Sequence, residues 1–384
     1  MKKLILLFSI FLLTGCWNYR ELNNLAITTG MAIDKSSEGI EVTVMIANSQ
    51  KNSSGSETQA SNAVYKGSGK TFYEAWKDAA MAVSKQLYVG HIEVVVISEE
   101  MAREGIFDYV DFLFRYPQTR NEFYLVISKD SKASDILKIT SPLDTISSQN
   151  VAKNLEITNE LQGYTYTVKF NEFIDSLITE GIEPVLPTIS IIGDPNKGNK
   201  DENIEQSEPE TYLKLGMLSI FKDDKLIGIA NKDESKGINI INSKLTITGI
   251  IINYNDGYIV SEVNGLNTSI KTEENKIIID TNITASIEEI TIPIDLKDPK
   301  TIEEIKQKDI EEVKRLIKCA LELNKNNKTD IFGFGEIYHK QFPKKWQEIK
   351  NEWEEVYLPN MEYEINVDIN LQTKGSINNG IEVK

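Results

Sequence analysis

The stretch that most constrains the fold is residues 89–115, which read VGHIEVVVISEEMAREGIFDYVDFLFR. Residues 89–97 form a short apolar run rich in β-branched side chains, which predicts a buried strand. Ser98 is a favourable helix N-cap residue and predicts a short helix directly after that strand. The apolar spacing of residues 107–115 predicts a second helix, which ends before Pro117. A strand followed by two helices indicates a fold of mixed α and β structure.

Helical and strand patterns of apolar residues also occur on both sides of this stretch. Upstream, Thr71 and Glu74 have the spacing of a capping box and open a helix with one apolar face. Downstream, Ile302 to Asn324 has the apolar spacing of a long helix, and Met361 to Leu371 alternates like a half-buried strand. We therefore predict an α+β fold in which mixed or antiparallel sheets pack against helices.

The length of the chain, 384 residues, exceeds that of one ordinary domain and predicts three. The clearest boundary is a stretch rich in Asn, Asp, Glu and Gly, which is typical of a linker. The predicted organisation is a signal peptide at residues 1–15, an N-terminal α+β domain at 16–195, the linker at 196–209, a small strand-rich middle domain at 210–273 and a C-terminal α+β domain at 274–384.

The first residues have the layout of a secretory signal, because two lysines precede an apolar run that is too short to span a membrane. Leu13, Thr14 and Gly15 precede Cys16 in the pattern of a bacterial lipobox. We predict cleavage before Cys16 and a diacylglyceryl group on its thiol, which anchors the protein to the outer face of a cytoplasmic membrane. The alternative is a plain signal peptide, or a membrane helix, with a chance cysteine.

The charge of the chain argues against two classes of partner. Its formal net charge is −16, from 42 Lys and Arg against 58 Asp and Glu. This balance disfavours nucleic acid, which proteins bind mainly through cationic side chains, and it disfavours adsorption to anionic lipid. Solubility alone explains the acidity equally well. The predicted lipid is therefore the feature expected to hold the protein at a membrane.

A search for catalytic or metal-binding patterns is largely negative. The sequence contains no hydrolase elbow, phosphate-binding loop, dinucleotide fingerprint or His/Cys cluster with metal-ligand spacing. If Cys16 is lipidated, Cys319 has no cysteine partner for a disulfide. We interpret His91 as a packing or hydrogen-bonding residue and Trp346 as a core anchor. The expectation is a protein that is not an enzyme, with no cofactor besides the lipid.

Three blocks, in order along nearly the whole chain, carry a shared signature. The first runs from Cys16 to Asn23 and continues at Leu25-Ala26-Ile27. The second contains Gly90, His91, Glu99, Arg103, Gly105, Asp111 and Arg115. The third contains Asp330, Gly333, Phe342-Pro343, Trp346 and the strand from Met361. Together the blocks resemble the Ger(x)C lipoproteins, which are the C subunits of spore nutrient germinant receptors.

This resemblance implies a three-domain α+β lipoprotein without a catalytic site, on the outer face of the inner membrane of the spore. It also implies assembly with two integral membrane subunits that help sense small nutrients such as amino acids or sugars. Whether such a nutrient contacts this subunit stays open. One residue-level function carries over, the lipidation of Cys16, and a structural or interaction role is expected for the other motif residues.

Two other functions remain as alternatives. A solute-binding lipoprotein of a nutrient transporter would show two lobes of alternating strand and helix around a cleft, which the mixed pattern of this sequence does not predict. A secreted enzyme acting on the cell wall would need a cleft in which titrating residues converge.

Overall fold

Two β-sheets with surrounding helices form the part of the chain that the computed structural model describes, which is residues 21–48, 60–161, 163–245 and 247–373. The first sheet has nine strands and the second has four. Both sheets are mixed, because each contains parallel and antiparallel pairs. The predicted fold class, mixed sheets packed with helices, is confirmed. The signal peptide, the three lipobox residues and Cys16 lie outside the described residues.

The first sheet has the strand order β3-β2-β1-β5-β6-β7-β8-β9, and β4 pairs with the beginning of β1. Its central strands β1, β5, β6 and β7 are parallel, and the flanking strands are antiparallel. The strands are β1 (Leu25–Ser36), β2 (Gly39–Ala47), β3 (Asn62–Gly69), β4 (Gln86–Tyr88), β5 (Val94–Ser98), β6 (Tyr124–Ser128), β7 (Val185–Ile192), β8 (Tyr212–Lys222) and β9 (Lys225–Ile229).

Helices cover both faces of this sheet, which explains why β5 and β6 are apolar along their length. The helices are α1 (Phe72–Met81), α2 (Glu99–Glu104), α3 (Phe107–Arg115), α4 (Ala133–Ile136), α5 (Ser147–Leu161), α6 (Phe170–Ile178) and α7 (Asp201–Glu205). Thr71 caps α1 by accepting a hydrogen bond from the Glu74 N–H at 3.2 Å, as its spacing predicts.

The second sheet has the order β10-β11-β12-β13, in which only β12 and β13 are parallel. The elements of this part are α8 (Lys232–Ile241), β10 (Thr248–Tyr254), β11 (Gly257–Thr272), β12 (Lys276–Ile290), α9 (Pro299–Asn327), α10 (Phe334–Gln341), α11 (Pro343–Ile349) and β13 (Glu362–Thr373). The long helix α9 packs against β10, β13 and α8. Its Asp309 carboxylate is buried there and accepts a hydrogen bond from the Ser261 hydroxyl at 2.7 Å.

The strands of residues 210–273, predicted to be a separate middle domain, divide between the two sheets. Strand β8 pairs with β7 and extends the first sheet, whereas β11 pairs with β12 in the second. This segment therefore has no sheet of its own among the described residues. It also contains α8, although the sequence there indicates mostly strands. The difference arises because local periodicity predicts a strand but not its partner, which long-range packing selects.

The predicted linker at 196–209 is likewise held in place by specific contacts. It contains α7, and the side chain of Asn203 is buried. The Asn203 amide donates to the Thr211 carbonyl at 2.9 Å and accepts from the Thr211 N–H at 3.0 Å. A polar composition thus reflects hydrogen bonding to the neighbouring backbone as well as exposure to solvent.

Candidate functional site

The motif residues on α2 and α3 form two ion pairs within their own helices. Arg103 contacts Glu99 at 2.6 Å, and Arg115 contacts Asp111 at 2.8 Å, each at a spacing of four residues. The Arg115 side chain is 76% exposed. Pairs of this kind on a helix surface stabilise a protein by only about 0.3–0.5 kcal/mol. Their location is consistent with the structural or interaction role expected for them, and they do not form a reactive cluster.

Gly105 allows the turn between α2 and α3 to approach the hairpin between β8 and β9. Its φ is +126°, a value that favours glycine. A Cβ atom there would lie 2.6 Å from a carboxylate oxygen of Asp224. The Asp224 side chain accepts a hydrogen bond from the Phe107 N–H at 3.0 Å, and its carbonyl accepts one from the Ile106 N–H at 3.1 Å. Gly105 therefore has a structural role.

Gly90 and His91 line a cleft of about 750 Å³ beside the start of β1. His91 is exposed, and its ring packs edge-on against Tyr88 with 5.6 Å between the ring centroids. Charges of both signs surround the cleft, and burial raises the pKa of Glu93 in its wall. The nearest polar contact of that carboxylate is the Gln149 amide at 3.4 Å. The cleft is polar and open, and the observed contact of His91 is a packing contact.

Trp346 lies in a different place, where α10, α11 and the loop before α10 contact the segment that precedes β7. We call this place the junction, and its two sides are residues 180–183 and 330–336. The Trp346 indole is buried and donates to the Glu180 carboxylate at 3.1 Å. Two backbone hydrogen bonds cross the junction, from the Glu183 N–H to the Asp330 carbonyl at 2.8 Å and from the Glu336 N–H to the Gly181 carbonyl at 3.1 Å.

Asp330 is the centre of the junction, and its carboxylate is fully buried. One oxygen accepts from the N–H of Phe334, the first residue of α10, at 3.0 Å. The other accepts from the Gly335 N–H and from the Trp353 indole, both at 2.7 Å. Burial raises the pKa of Asp330 to about 7. The role of Asp330 as an acceptor for three donors was not predicted, because Gly333 is the N-cap residue of α10 and the Trp353 donor lies 23 residues away.

Two further carboxyl groups, which sequence reasoning missed, lie beside Asp330. Glu354 accepts a hydrogen bond from the Asp330 N–H at 2.9 Å, and Glu183 accepts one from the Asp223 N–H at 2.7 Å. Burial, and then the nearby charge of Glu354, raise the pKa of Glu183 to about 8. Lys222 lies 3.5 Å from the Glu354 carboxylate and offsets part of the negative charge. The junction thus concentrates carboxyl groups that are stabilised in the protonated form.

The raised pKa of Glu183 predicts that a Glu183→Gln variant is more stable than the wild type at pH 8. A carboxyl group whose pKa is raised on folding contributes full stability below its ordinary pKa, and this contribution is lost as the pH rises toward the folded value. We expect a gain of about 1–2 kcal/mol at pH 8 and little change at pH 5, after allowance for screening by solvent. Urea unfolding at both pH values measures this difference.

The matched control is Glu180→Gln on the same side of the junction. Hydrogen bonds from Lys350 and then from Trp346 lower the pKa of Glu180, so its replacement should give no gain at pH 8. If the wild type and Glu183→Gln lose stability in parallel between pH 5 and pH 8, Glu183 does not carry the effect.

The predicted motif residues therefore occupy separate places: α2 and α3, the cleft beside β1, and the junction. Across the described ranges, no three His, Cys, Asp or Glu side chains are placed to share a metal ion. Within the same ranges, no helix is both long and apolar enough to cross a membrane. The densest network of buried polar contacts around a predicted motif residue is at the junction, which is our candidate functional site.

Two protein-family models match the chain in succession. The model for the spore germination protein N-terminal domain matches residues 18–191, and the model for the spore germination B3/GerAC-like C-terminal domain matches residues 217–375. The chain belongs to the Ger(x)C family. The predicted family membership is thereby confirmed.

Individual members of the Ger(x)C family align with this chain over nearly their whole length. Spore germination protein KC of Bacillus subtilis (strain 168) is 28% identical over 98% of this chain and 96% of its own. Spore germination protein GerQC of Bacillus cereus is 24% identical over 97% of this chain and 98% of its own. The crystal structure of the GerBC protein is similar in fold, with a TM-score of 0.51 and 15% identity over 90% of this chain and 97% of that one.

The two Ger(x)C family segments do not coincide with the two sheets. The first segment ends at residue 191, within β7, and the second begins at residue 217, within β8. Because β7 and β8 are neighbours in the first sheet, both segments contribute strands to that sheet. The second segment then supplies all four strands of the second sheet, and it also supplies the Asp330 side of the junction.

Proposed function

We propose that this chain is a lipid-anchored, non-enzymatic subunit of a spore nutrient germinant receptor, and that it assembles with two integral membrane subunits to trigger germination. The observation that carries this proposal is the succession of two germination-protein domains over residues 18–191 and 217–375. Relatives that span almost the whole chain are themselves named spore germination proteins. In this proposal a small nutrient is the signal that the assembled receptor detects.

The membrane contact in this proposal is a diacylglyceryl group on Cys16. Two acyl chains give stable attachment where one would be marginal. The nine Cα-to-Cα steps from Cys16 to Leu25 span at most about 30 Å when extended. The proposal therefore keeps the first sheet close to the outer face of the inner membrane of the spore.

Buried carboxyl groups support a role without catalysis. Both oxygens of Asp330 accept hydrogen bonds from buried donors of the fold, and Asp309 accepts one from Ser261. Perturbed pKa values often mark catalytic groups, but structural networks perturb them as well. Burial raises the pKa of both residues, whereas their hydrogen bonds lower it. Because those hydrogen bonds connect elements of the fold, these buried carboxyl groups have a structural role.

The experiment that tests this proposal replaces Cys16 with alanine. We expect Cys16→Ala to lose membrane retention in fractionated spores, and nutrient-triggered germination, followed as loss of optical density, to slow at least tenfold. The matched control is Cys319→Ala. Cys319 lies half-buried on α9, and its sulfur is 3.8 Å from an Arg315 guanidinium nitrogen. Its replacement should preserve both properties.

The anchor and the assembly with membrane subunits are tested by separate measurements. Full membrane retention of Cys16→Ala would refute the anchor. A retained wild-type protein that does not co-purify with integral membrane subunits would refute the assembly, whatever the behaviour of the cysteine variant.

A further inference from the structure

The outer edge of β13 is long and regular. β13 is the last strand of the second sheet and pairs with β12 in an unbroken parallel register from Glu362 to Thr373. The neighbouring pairing of β11 with β12 contains two register shifts, whereas this one contains none. At 12 residues, β13 is also about twice the usual length of a strand.

The direction of one hydrogen bond shows which residues face outward. The Glu362 N–H donates to the Asn275 carbonyl at 3.0 Å, on the side of β12. Successive residues of a strand direct their N–H and C=O groups to opposite sides, so the odd-numbered residues present theirs to the free edge. These residues are Tyr363, Ile365, Val367, Ile369 and Leu371. Within the described part of the chain, no backbone group bonds to that edge.

Natural proteins usually protect such an edge with proline, lysine, a bulge or short length. Residues 362–373 contain no Pro, Gly, Lys or Arg. The two terminal strands of the first sheet differ, because β3 contains Lys66 and two glycines, and β9 has only five residues and begins at Lys225. Two lysines from outside the strand contact its carboxylates: Lys306 lies 3.2 Å from Asp368, and Lys276 of β12 lies 3.1 Å from Glu364. Most of the β13 edge is therefore open to an additional strand.

The side chains of β13 indicate which residue types an additional strand at this edge should carry. Glu362, Glu364 and Asp368 lie on one exposed face. Glu364 pairs with Lys276 and Asp368 with Lys306, but the two carboxylate side chains remain 47% and 73% exposed. On the opposite face, Tyr363 and Ile365 are only partly buried, so an added strand with apolar side chains would cover them. Opposite charges across neighbouring strands are favourable and like charges are not.

We propose that the outer edge of β13 binds an extended segment of a partner protein, in which basic and apolar residues alternate, as a fifth strand of the second sheet. Main-chain hydrogen bonds to the odd-numbered residues hold the segment, and the acidic face selects its basic residues. A second copy of this chain fits poorly, because the same carboxylates would face each other. The proposal goes beyond the receptor role and does not depend on the lipid anchor.

The test uses the full-length chain in detergent micelles and a fluorescent ten-residue peptide of alternating lysine and valine. Fluorescence anisotropy should show binding with a micromolar Kd, and a peptide with glutamate in place of lysine should bind at least tenfold more weakly. Val367→Pro should weaken binding at least tenfold with little change in Tm, because it removes an N–H that points outward. Glu362→Lys combined with Asp368→Lys should also weaken binding of the basic peptide.

Amide exchange on the wild type tests the same edge without a substitution. The peptide should slow exchange at Val367 and the other odd-numbered residues, while the even-numbered amides are protected with or without it. Equal binding to Val367→Pro, no new protection at the odd-numbered amides, or equal binding of the glutamate peptide would overturn the proposal. Protection that depends on protein concentration without peptide would assign the edge to a second copy and would also overturn it.

Discussion

Replacing Asp330 with alanine is expected to lower the free energy of unfolding by about 3–5 kcal/mol. The Asp330 carboxylate accepts hydrogen bonds from the Phe334 N–H, the Gly335 N–H and the Trp353 indole, and the site is fully buried. An unsatisfied buried donor costs about 1–3 kcal/mol, and alanine would leave three such donors without an acceptor. Urea unfolding of the full-length chain in detergent micelles, followed by tryptophan fluorescence, measures the loss.

The matched control is Asp111→Ala, which also removes one carboxylate. Asp111 forms an exposed pair with Arg115 on α3, so its loss should cost less than about 1 kcal/mol. Asp330→Asn keeps the volume of the side chain but replaces one acceptor by a donor, and we expect an intermediate loss. If Asp330→Ala and Asp111→Ala lower stability equally, the hydrogen bonds to Asp330 do not hold the junction together.

Elements whose signals lie close together in the sequence were predicted well. The buried face of α1, formed by Phe72, Ala75, Trp76 and Ala79, is the face that its apolar spacing indicates. The stretch 89–115 also contains a strand and the two predicted helices, although the strand begins at Val94 and not at residue 89 as predicted. Caps and amphipathic periods need only neighbouring residues, so one sequence is sufficient to show them.

Strand partners, in contrast, could not be predicted from periodicity. Nothing in the local sequence shows that Lys276 pairs in parallel with Glu362, or that β8 and β9 join the first sheet whereas β10 and β11 join the second. Helix α8 was missed because its isoleucines and Gly237 favour a helix poorly, whereas the structure stabilises it with a capping box at Asn231. Strand pairing depends on contacts between distant segments. The capping box of α8 is local, and the spacing of Asn231 and Glu234 is a signal that could have shown this helix.

At the candidate site, too, local features were predictable from the sequence and contacts between distant residues were not. Trp346 was predicted as a core anchor and is buried, but its hydrogen bond to Glu180 was not predictable, because the two residues are far apart in sequence. The partnership of Asp330 with Trp353 likewise depends on how α10 and α11 pack. For Cys16, in contrast, the expected role comes entirely from the local lipobox, and the residue lies outside the described part of the chain. Its lipidation stays a prediction.

A Gly237→Ala substitution is expected to lower the free energy of unfolding by about 3 kcal/mol, although alanine is the better helix former. Gly237 lies in α8 against α9, where a Cβ atom would be 2.1 Å from the Leu316 carbonyl oxygen. Alanine gains about 1 kcal/mol in helix propensity. The clash is with backbone, so the helices must separate, and overpacking of this kind typically costs more than that gain. Thermal and urea unfolding measure the net effect.

The matched control is Gly228→Ala in β9. There the nearest atom to an added Cβ is the Asn327 side-chain oxygen at 4.0 Å, so the methyl group meets open space. We expect a change within about 1 kcal/mol, including a gain from the stiffer unfolded chain. A Gly237→Ala variant as stable as Gly228→Ala would show that α8 and α9 are not in this close contact.

Two neighbours of Gly237 explain why its replacement should affect both sheets. The Ser235 hydroxyl accepts a hydrogen bond from the Leu218 N–H of β8 at 3.2 Å, and the Lys236 ammonium donates to the Gly249 carbonyl of β10 at 2.9 Å. Helix α8 therefore bonds to the first sheet through one residue and to the second through the next. Separation of α8 from α9 should strain both bonds, so tryptophan fluorescence and far-ultraviolet circular dichroism should report a loss at the same urea concentration.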